Sequence, residues 1–151
     1  MNRQIWPERV VIREVGLRDG LQSIARILPT ELKLKWIEGA YEAGLREMEV
    51  GSFVPPQLLP QLADTAELVA HAKQWSDLSV SVLVPNLKGA QRAMDSGADW
   101  MLLPLSASHA HSLANMKRTP DEVVADIARI IDLRDQRSST TRVEVGISTA
   151  F

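Results

Sequence analysis

Val11-Ile12-Arg13-Glu14-Val15-Gly16-Leu17-Arg18-Asp19-Gly20-Leu21-Gln22 is a strand that runs into a charged turn. Val10, Val11, Ile12 and Val15 are β-branched and suit a buried pleated surface. The pattern breaks at Gly16 and again at Gly20, with Arg18 and Asp19 adjacent between the glycines. A charged pair just past an apolar strand is costly to bury, so it either faces water or serves a site. In parallel sheets and barrels, the space beyond the carboxyl ends of the strands is where ligands bind. Aspartate is a hard oxygen ligand for Mg²⁺ or Mn²⁺. Arginine offers a planar fork of donors to a carboxylate, or to an enolate that forms during reaction. These residues alone leave two readings open: metal-assisted stabilisation of a carbanion-like intermediate, or a surface ion pair of little energetic weight.

The remainder of the chain predicts a strict βα alternation. The first strand spans about 9–15 and leads into a long loop over 16–28. Pro29-Thr30-Glu31 opens a helix with an apolar face of Leu32, Leu34, Trp36, Ile37, Ala40, Tyr41 and Ala43, stopped by Gly44. A second strand follows at 45–51, then a loop over 52–60 stiffened by Pro55, Pro56 and Pro60. A helix at 62–73, a strand at 78–84, a helix at 87–96 and a strand at 99–105 come next. Residues 106–118 read as a polar loop. Thr119-Pro120-Asp121-Glu122 is a capping box that starts a helix running to about Gln136. The fifth strand lies at 141–149. Several strands read as apolar runs, as when both faces are covered. The pattern predicts an α/β fold with a parallel sheet, and by itself fits either an open doubly wound sheet or part of a (β/α)8 barrel.

The chain has 151 residues, 45% of them hydrophobic and 24% charged, as in an ordinary globular domain. A net charge of -2 gives no general field for nucleic acid or anionic membrane, and the four tryptophans form no stacking stripe with basic residues. The absence of cysteine excludes disulfides, thiolate metal sites and a cysteine nucleophile from these residues. No apolar run approaches the roughly 20 residues that span a bilayer, and residues 1–8 lack the blocks of a signal peptide. A cytoplasmic protein is expected.

Four blocks carry a resemblance. Glu14-Val15-Gly16-Leu17-Arg18-Asp19-Gly20-Leu21-Gln22 is followed by Glu49-Val50-Gly51-Ser52-Phe53-Val54-Pro55-Pro56, Val84-Pro85-Asn86-Leu87-Lys88-Gly89 and Gly146-Ile147-Ser148-Thr149-Ala150-Phe151. In this order they resemble the hydroxymethylglutaryl-CoA lyase family of the DRE-TIM metallolyase superfamily. Leu17 stands where a turn-stiffening proline is often found. The resemblance implies the N-terminal part, about five βα units, of a (β/α)8 TIM barrel. A full barrel needs about 250 residues. Residues 1–151 are therefore expected to form a partial catalytic domain of the pyruvate carboxyltransferase/HMG-CoA lyase type, truncated on its C-terminal side. The family completes its metal site with a His-x-His pair on a later strand and an asparagine beyond it, and carries a cysteine in a later Gly-rich loop.

The implied activity is a divalent-cation-dependent (Mg²⁺ or Mn²⁺) carbon–carbon lyase. It would cleave 3-hydroxy-3-methylglutaryl-CoA, or a related branched hydroxyacyl-CoA, to acetyl-CoA and a keto acid, with this chain an incomplete and inactive piece. An acyl-CoA substrate and a homo-oligomer are expected, and neither nucleic acid nor membrane. Two alternatives stand beside it: a Claisen-type condensation of an acyl-CoA with an α-keto acid, and a non-catalytic half barrel acting by self-association. Ser52-Phe53-Val54-Pro55 favours the lyase branch.

By the same resemblance, Asp19 is the metal ligand, Arg18 the catalytic and substrate-binding arginine, and Glu49 a second catalytic carboxylate that holds Arg18. Gln22 and Ser52 are candidate substrate contacts, as is Asn86; each also reads as a turn residue. Glu14, a carboxylate in a strand, needs a partner, expected to be Arg or Lys. His109 and His111 are expected to lie in the polar loop and not to bind metal; related synthases carry a histidine there, which leaves a substrate role open. His71 is expected on a solvated helix face.

Overall fold

Alternation in β2 and β3 shows how the sheet is built. β2 (Glu47–Ser52) reads Glu-Met-Glu-Val-Gly-Ser and β3 (Ser79–Leu83) reads Ser-Val-Ser-Val-Leu. Met48, Val50, Val80 and Val82 are fully buried in one apolar cluster with Met101 and Leu103, whereas Glu47, Glu49, Ser79 and Ser81 fall on the opposite face. The computed structural model describes residues 7–151. Its other strands are β1 (Arg13–Glu14), β4 (Trp100–Ser106) and β5 (Arg142–Ser148), and its helices are α1 (Thr30–Glu42), α2 (Thr65–Ala72), α3 (Leu87–Ser96), α4 (His109–Met116) and α5 (Pro120–Gln136). All strands are parallel and ordered β1-β2-β3-β4-β5. The sheet curls into a half barrel, with helices packed on the convex apolar face and a polar concave face. Polar side chains thus occupy alternate positions of β2 and β3, so these strands are not the apolar runs expected for a sheet covered on both sides by helices.

The concave face is tied by charge. Arg13 on β1 donates to both carboxylate oxygens of Glu144 on β5, at 3.0 and 2.8 Å, and its Nε lies 3.4 Å from Glu47 on β2. Trp100 Nε1 donates to Ser79 Oγ at 3.2 Å, and the Arg142 guanidinium stacks 3.9 Å over the Trp100 ring.

Three expectations are corrected. The first strand is short: β1 holds two paired residues, and Val10, Val11 and Ile12 are 78%, 69% and 69% exposed. β1 pairs only with β2, so β-branched chains there have no packed surface to favour a longer strand. Residues 109–116 are helix, not loop, because Ser108 caps them by accepting from His111 N and Lys117 closes them in the left-handed region. The apolar face of α1 is narrower than expected: Ile37 is buried and Leu34, Ala40 and Tyr41 pack against the core, but Leu32 and Trp36 are 48% and 40% exposed, while Lys33 is 1% exposed. Lys33 Nζ donates to Gln61 O at 2.6 Å and to both Asp64 oxygens at 2.7 and 2.8 Å. A buried ammonium persists only when so paired, and here it binds α1 to the loop before α2.

The Gly51 position is a close approach. The ladder shifts register between Glu49 and Gly51, and a Cβ at Gly51 would strike Thr65, with Thr65 Cβ 2.9 Å away. Thr65 is fully buried, and its Oγ1 accepts from Ser52 N and lies within donating distance of Ser52 O and Leu62 O. Gly51→Ala is therefore expected to lower stability by about 1–3 kcal/mol in urea unfolding. Gly39→Ala, in α1 with open space around it, should raise it by up to about 1 kcal/mol; equal effects of the two would contradict this packing. The Glu144 carboxyl is held below its usual range, chiefly by the hydrogen bond from Arg13. A depressed carboxylate stabilises the fold above its unfolded pKa, and that contribution is lost as pH falls through the folded value. The stability gap between the natural chain and Glu144→Gln should accordingly narrow on acidification, measured by unfolding at a series of pH values; a gap that widens would refute the pairing.

Candidate active site

The turn after β1 is wide, of π-helical pitch over Gly16–Gly20. Arg18 N and Asp19 N both donate to Val15 O, at 3.1 and 2.8 Å, and Leu17 and Leu21 bury their side chains beneath it. Glu14 folds back on the same turn: its Oε1 accepts from Gly16 N at 2.6 Å. Among the described residues Glu14 has no Arg or Lys partner, so the backbone satisfies a carboxylate expected to sit in an ion pair. Gly16 is confined by this arrangement, since a Cβ there would lie 2.5 Å from Glu14 Oε1 and 2.6 Å from Trp36 Cζ2.

Arg18 and Glu49 meet as the resemblance implies. Arg18 Nε donates to Glu49 Oε1 at 2.6 Å and Nη2 to Oε2 at 3.2 Å, while Nη1 donates to Asp19 Oδ1 at 2.9 Å. Glu49 is 2% exposed and fixes the guanidinium from below, whereas the Asp19 side chain is 63% exposed at the rim. Three of the five Arg18 N–H groups are engaged and two remain for an incoming oxygen. This is a preorganised cation beside an open carboxylate, the equipment for stabilising negative charge on a substrate oxygen.

As for a metal, Asp19 supplies one hard oxygen donor, of the type Mg²⁺ and Mn²⁺ take. Among the described residues no three His, Asp or Glu side chains gather to hold an ion. Gln22 is exposed at the end of the same turn. Ser52 is 1% exposed; its hydroxyl donates to Leu83 O and accepts from Val54 N, both at 3.2 Å. Asn86 caps α3 by accepting from Gly89 N at 2.9 Å. His71 is half-buried, edge-on to Trp75 and 3.2 Å from Glu38, and not solvated as expected. His111 sits in the first turn of α4, its Nδ1 2.9 Å from Ser106 Oγ. Sequence reading missed Ser106; the signal was a serine closing an apolar strand on the ligand-binding end.

A cleft of about 190 Å³ opens on this end between the loops after β2 and β3, lined by Phe53, Asn86, Lys88 and Arg92. A larger one, about 490 Å³, lies at the opposite end of the sheet beside Asp99 and Thr141, where Lys73 and Asp99 pair at 2.7 Å. Its third charged residue, Arg137, pairs with Asp95, and it lies at the other end of the sheet from Arg18. Among the described residues no helix is long and apolar enough to cross a membrane.

Residues 9–151 match the family model described as HMGL-like. The chain is 40% identical over 117 residues to the mitochondrial hydroxymethylglutaryl-CoA lyase of Bos taurus, covering 78% of this chain and 36% of that protein. It is 31% identical over 146 residues to the hydroxymethylglutaryl-CoA lyase of Bacillus subtilis, covering 97% and 48%. Among solved structures, hydroxymethylglutaryl-CoA lyase from Pseudomonas aeruginosa superposes with a TM-score of 0.86 at 33% identity, covering 93% of this chain and 46% of that one. An HMG-CoA lyase from Acinetobacter baumannii, in complex with coenzyme A and 3-methylmalate, superposes at 0.84 with 35% identity, over 93% and 45%. The chain thus spans less than half the length of these relatives.

The Arg18–Glu49 pair makes a specific prediction. Arg18→Met leaves a buried carboxylate without its counter-ion and should cost about 3 kcal/mol. Replacing both, Arg18→Met with Glu49→Met, should cost less than Arg18→Met alone. Denaturant unfolding of the set decides it, and additive losses would mean the two groups are not coupled.

Proposed function

Because the chain belongs to the HMGL-like family, we propose that residues 1–151 are the N-terminal part of a TIM-barrel catalytic domain in a divalent-cation-dependent carbon–carbon lyase. Its substrate is 3-hydroxy-3-methylglutaryl-CoA or a related branched hydroxyacyl-CoA. The observation that supports this most is the guanidinium of Arg18, clamped by buried Glu49 with two donors left free beside exposed Asp19. In such a cleavage the C3 hydroxyl loses its proton to a base and the C2–C3 bond breaks. C3 becomes the carbonyl of the keto acid, and the bond's electron pair passes to the acetyl-CoA fragment as an enolate. In this reading Arg18 donates to the enolate oxygen, and its hydrogen bonds strengthen as charge develops.

Glu49 keeps the guanidinium oriented and prevents it from folding onto Asp19 alone. Asp19 would provide one oxygen ligand to the cation, with the remaining ligands supplied from outside the described residues. A bound Mg²⁺ or Mn²⁺ would polarise the substrate's hydroxyl and carbonyl oxygens as a Lewis acid. Gln22, exposed on the same turn, is a candidate contact to the acyl group. Ser52 acts through the backbone: its hydroxyl holds the loop after β2 in shape.

The test is cleavage of 3-hydroxy-3-methylglutaryl-CoA by the intact protein that carries this sequence, with and without chelator. Asp19→Ala should abolish metal-dependent turnover, and Arg18→Gln should lower kcat by about 10²–10³-fold. Near-normal, metal-dependent turnover by Asp19→Ala would overturn the assignment. Condensation of acetyl-CoA with an α-keto acid, without cleavage, would move the protein to the synthase branch.

A further inference from the structure

The stretch that follows the charged turn is held by one side chain. Residues 22–27 are exposed and run from buried Leu21 toward α1. Ser23 N donates to Gly20 O at 3.2 Å and Ile24 N to Leu21 O at 3.4 Å, and Ser23 Oγ donates to Asp19 O at 2.9 Å. Among the described residues, the hydrogen bond that joins 22–27 to a distant part of the chain comes from Gln61, whose Nε2 donates to Ile24 O at 2.7 Å. Gln61 is itself fixed, because buried Lys33 donates to its main-chain carbonyl at 2.6 Å while paired with Asp64.

Stability alone does not call for glutamine at this position. Its side-chain carbonyl, Oε1, is closed to solvent and accepts no hydrogen bond among the described residues. A buried acceptor left unpaired carries its desolvation penalty, which offsets the gain from the bond that Nε2 makes. An apolar side chain of similar size carries no such penalty. What an apolar residue lacks is the donor to Ile24 O. That bond completes a relay from the Lys33–Asp64 pair through Gln61 to Ile24, and from the adjacent Ser23 to the backbone of Asp19. Gln22, exposed on the same stretch, lies inside the relay. The Arg18 guanidinium stands outside it, since Glu49 clamps it independently.

We infer that Gln61 is a positioning residue: its amide tethers Ile24, and thereby holds Gln22 and the backbone of Asp19 at the mouth of the site in the arrangement that meets the acyl-CoA. The acyl-CoA half of this inference rests on the lyase reading; the tether half does not. With the tether cut, the stretch is in place for only a fraction of the time, and the apparent affinity for substrate falls by that fraction. The chemical step is spared, because the orientation of Arg18 does not pass through Gln61.

Amide hydrogen exchange in the intact protein reads the tether directly. Gln61→Leu should speed exchange of the Ser23 and Ile24 amides about three- to tenfold, the loss of roughly one hydrogen bond, while the unfolding midpoint stays level or rises. Unchanged exchange at these amides, or a lowered midpoint with faster exchange across the whole sheet, would overturn the inference. Steady-state cleavage of 3-hydroxy-3-methylglutaryl-CoA then reads the positioning. Gln61→Leu should raise KM by a similar factor and leave kcat near that of the natural protein. Ser23→Ala should act the same way, and Ser23→Thr, which keeps the hydroxyl, should not. A KM that Gln61→Leu leaves unchanged, or a loss confined to kcat, would overturn the substrate role. Faster exchange confined to Ser23 and Ile24 in a protein that cleaves nothing would sink the lyase reading while leaving the tether standing.

Discussion

The bidentate ion pair between Arg13 and Glu144 joins the first strand to the fifth across the concave face, over 131 positions of sequence. It constrains much of the architecture. Two strands that share no ladder can be bridged by one arginine only if the sheet between them curls, and curling of this kind turns a parallel sheet toward a barrel. The same pair explains why that face is polar. Glu47 also meets Arg13, and on the same face Trp100 bonds to Ser79 and stacks under Arg142. The apolar contribution to stability comes from the other face, where Met48, Val50, Val80, Val82, Met101 and Leu103 meet the helices.

Above this charged floor, Arg18 repeats the arrangement closer to the rim. Glu49 is buried and Asp19 is open to water, so one arginine is held by a rigid carboxylate below and shares its remaining edge with a solvated one above. The wide turn over Gly16–Gly20 makes this feasible. It aims consecutive backbone N–H groups at Val15 O, and it depends on a glycine where Glu14 and Trp36 leave no room for a side chain. Orientation, not the mere presence of a cation, is what this geometry provides: the guanidinium is held in one direction by the buried carboxylate.

Much of this was legible in the sequence. Helix α3 begins and ends where Asn86 and Gly97 mark it, and the capping box at Thr119 starts α5 as read. Glu49 was read as a carboxylate that could hold Arg18 or be solvated, and in the structure the two side chains meet at 2.6 and 3.2 Å. What could not be read had two causes: a deciding partner distant in sequence or in the backbone, and a polar stretch without periodicity. Lys33 is a charged residue on a helix, and only the placement of Asp64 and Gln61 allows it to be buried. Glu14 found an amide two residues away where an ion pair was expected. The length of β1 depended on neighbours, not on the β-branched residues themselves. Helix α4 was hidden in a polar stretch whose cap, Ser108, gave no apolar periodicity to recognise.

Every strand in the sheet pairs with the strand that precedes or follows it in the chain. The order of pairing is therefore the order of synthesis. As the polypeptide leaves a ribosome, β2 can dock on β1, then β3 on β2, each covered by the helix that has just emerged, and no strand has to wait for a distant partner. Among the described residues, the bridge from Arg13 to Glu144 joins the first strand of the sheet to the fifth. Arg13 is made early and must stay solvated, or paired with Glu47, until β5 appears. Among the described strands this ion pair can form only after all five have been made, so it fastens a curvature that the ladders have already begun.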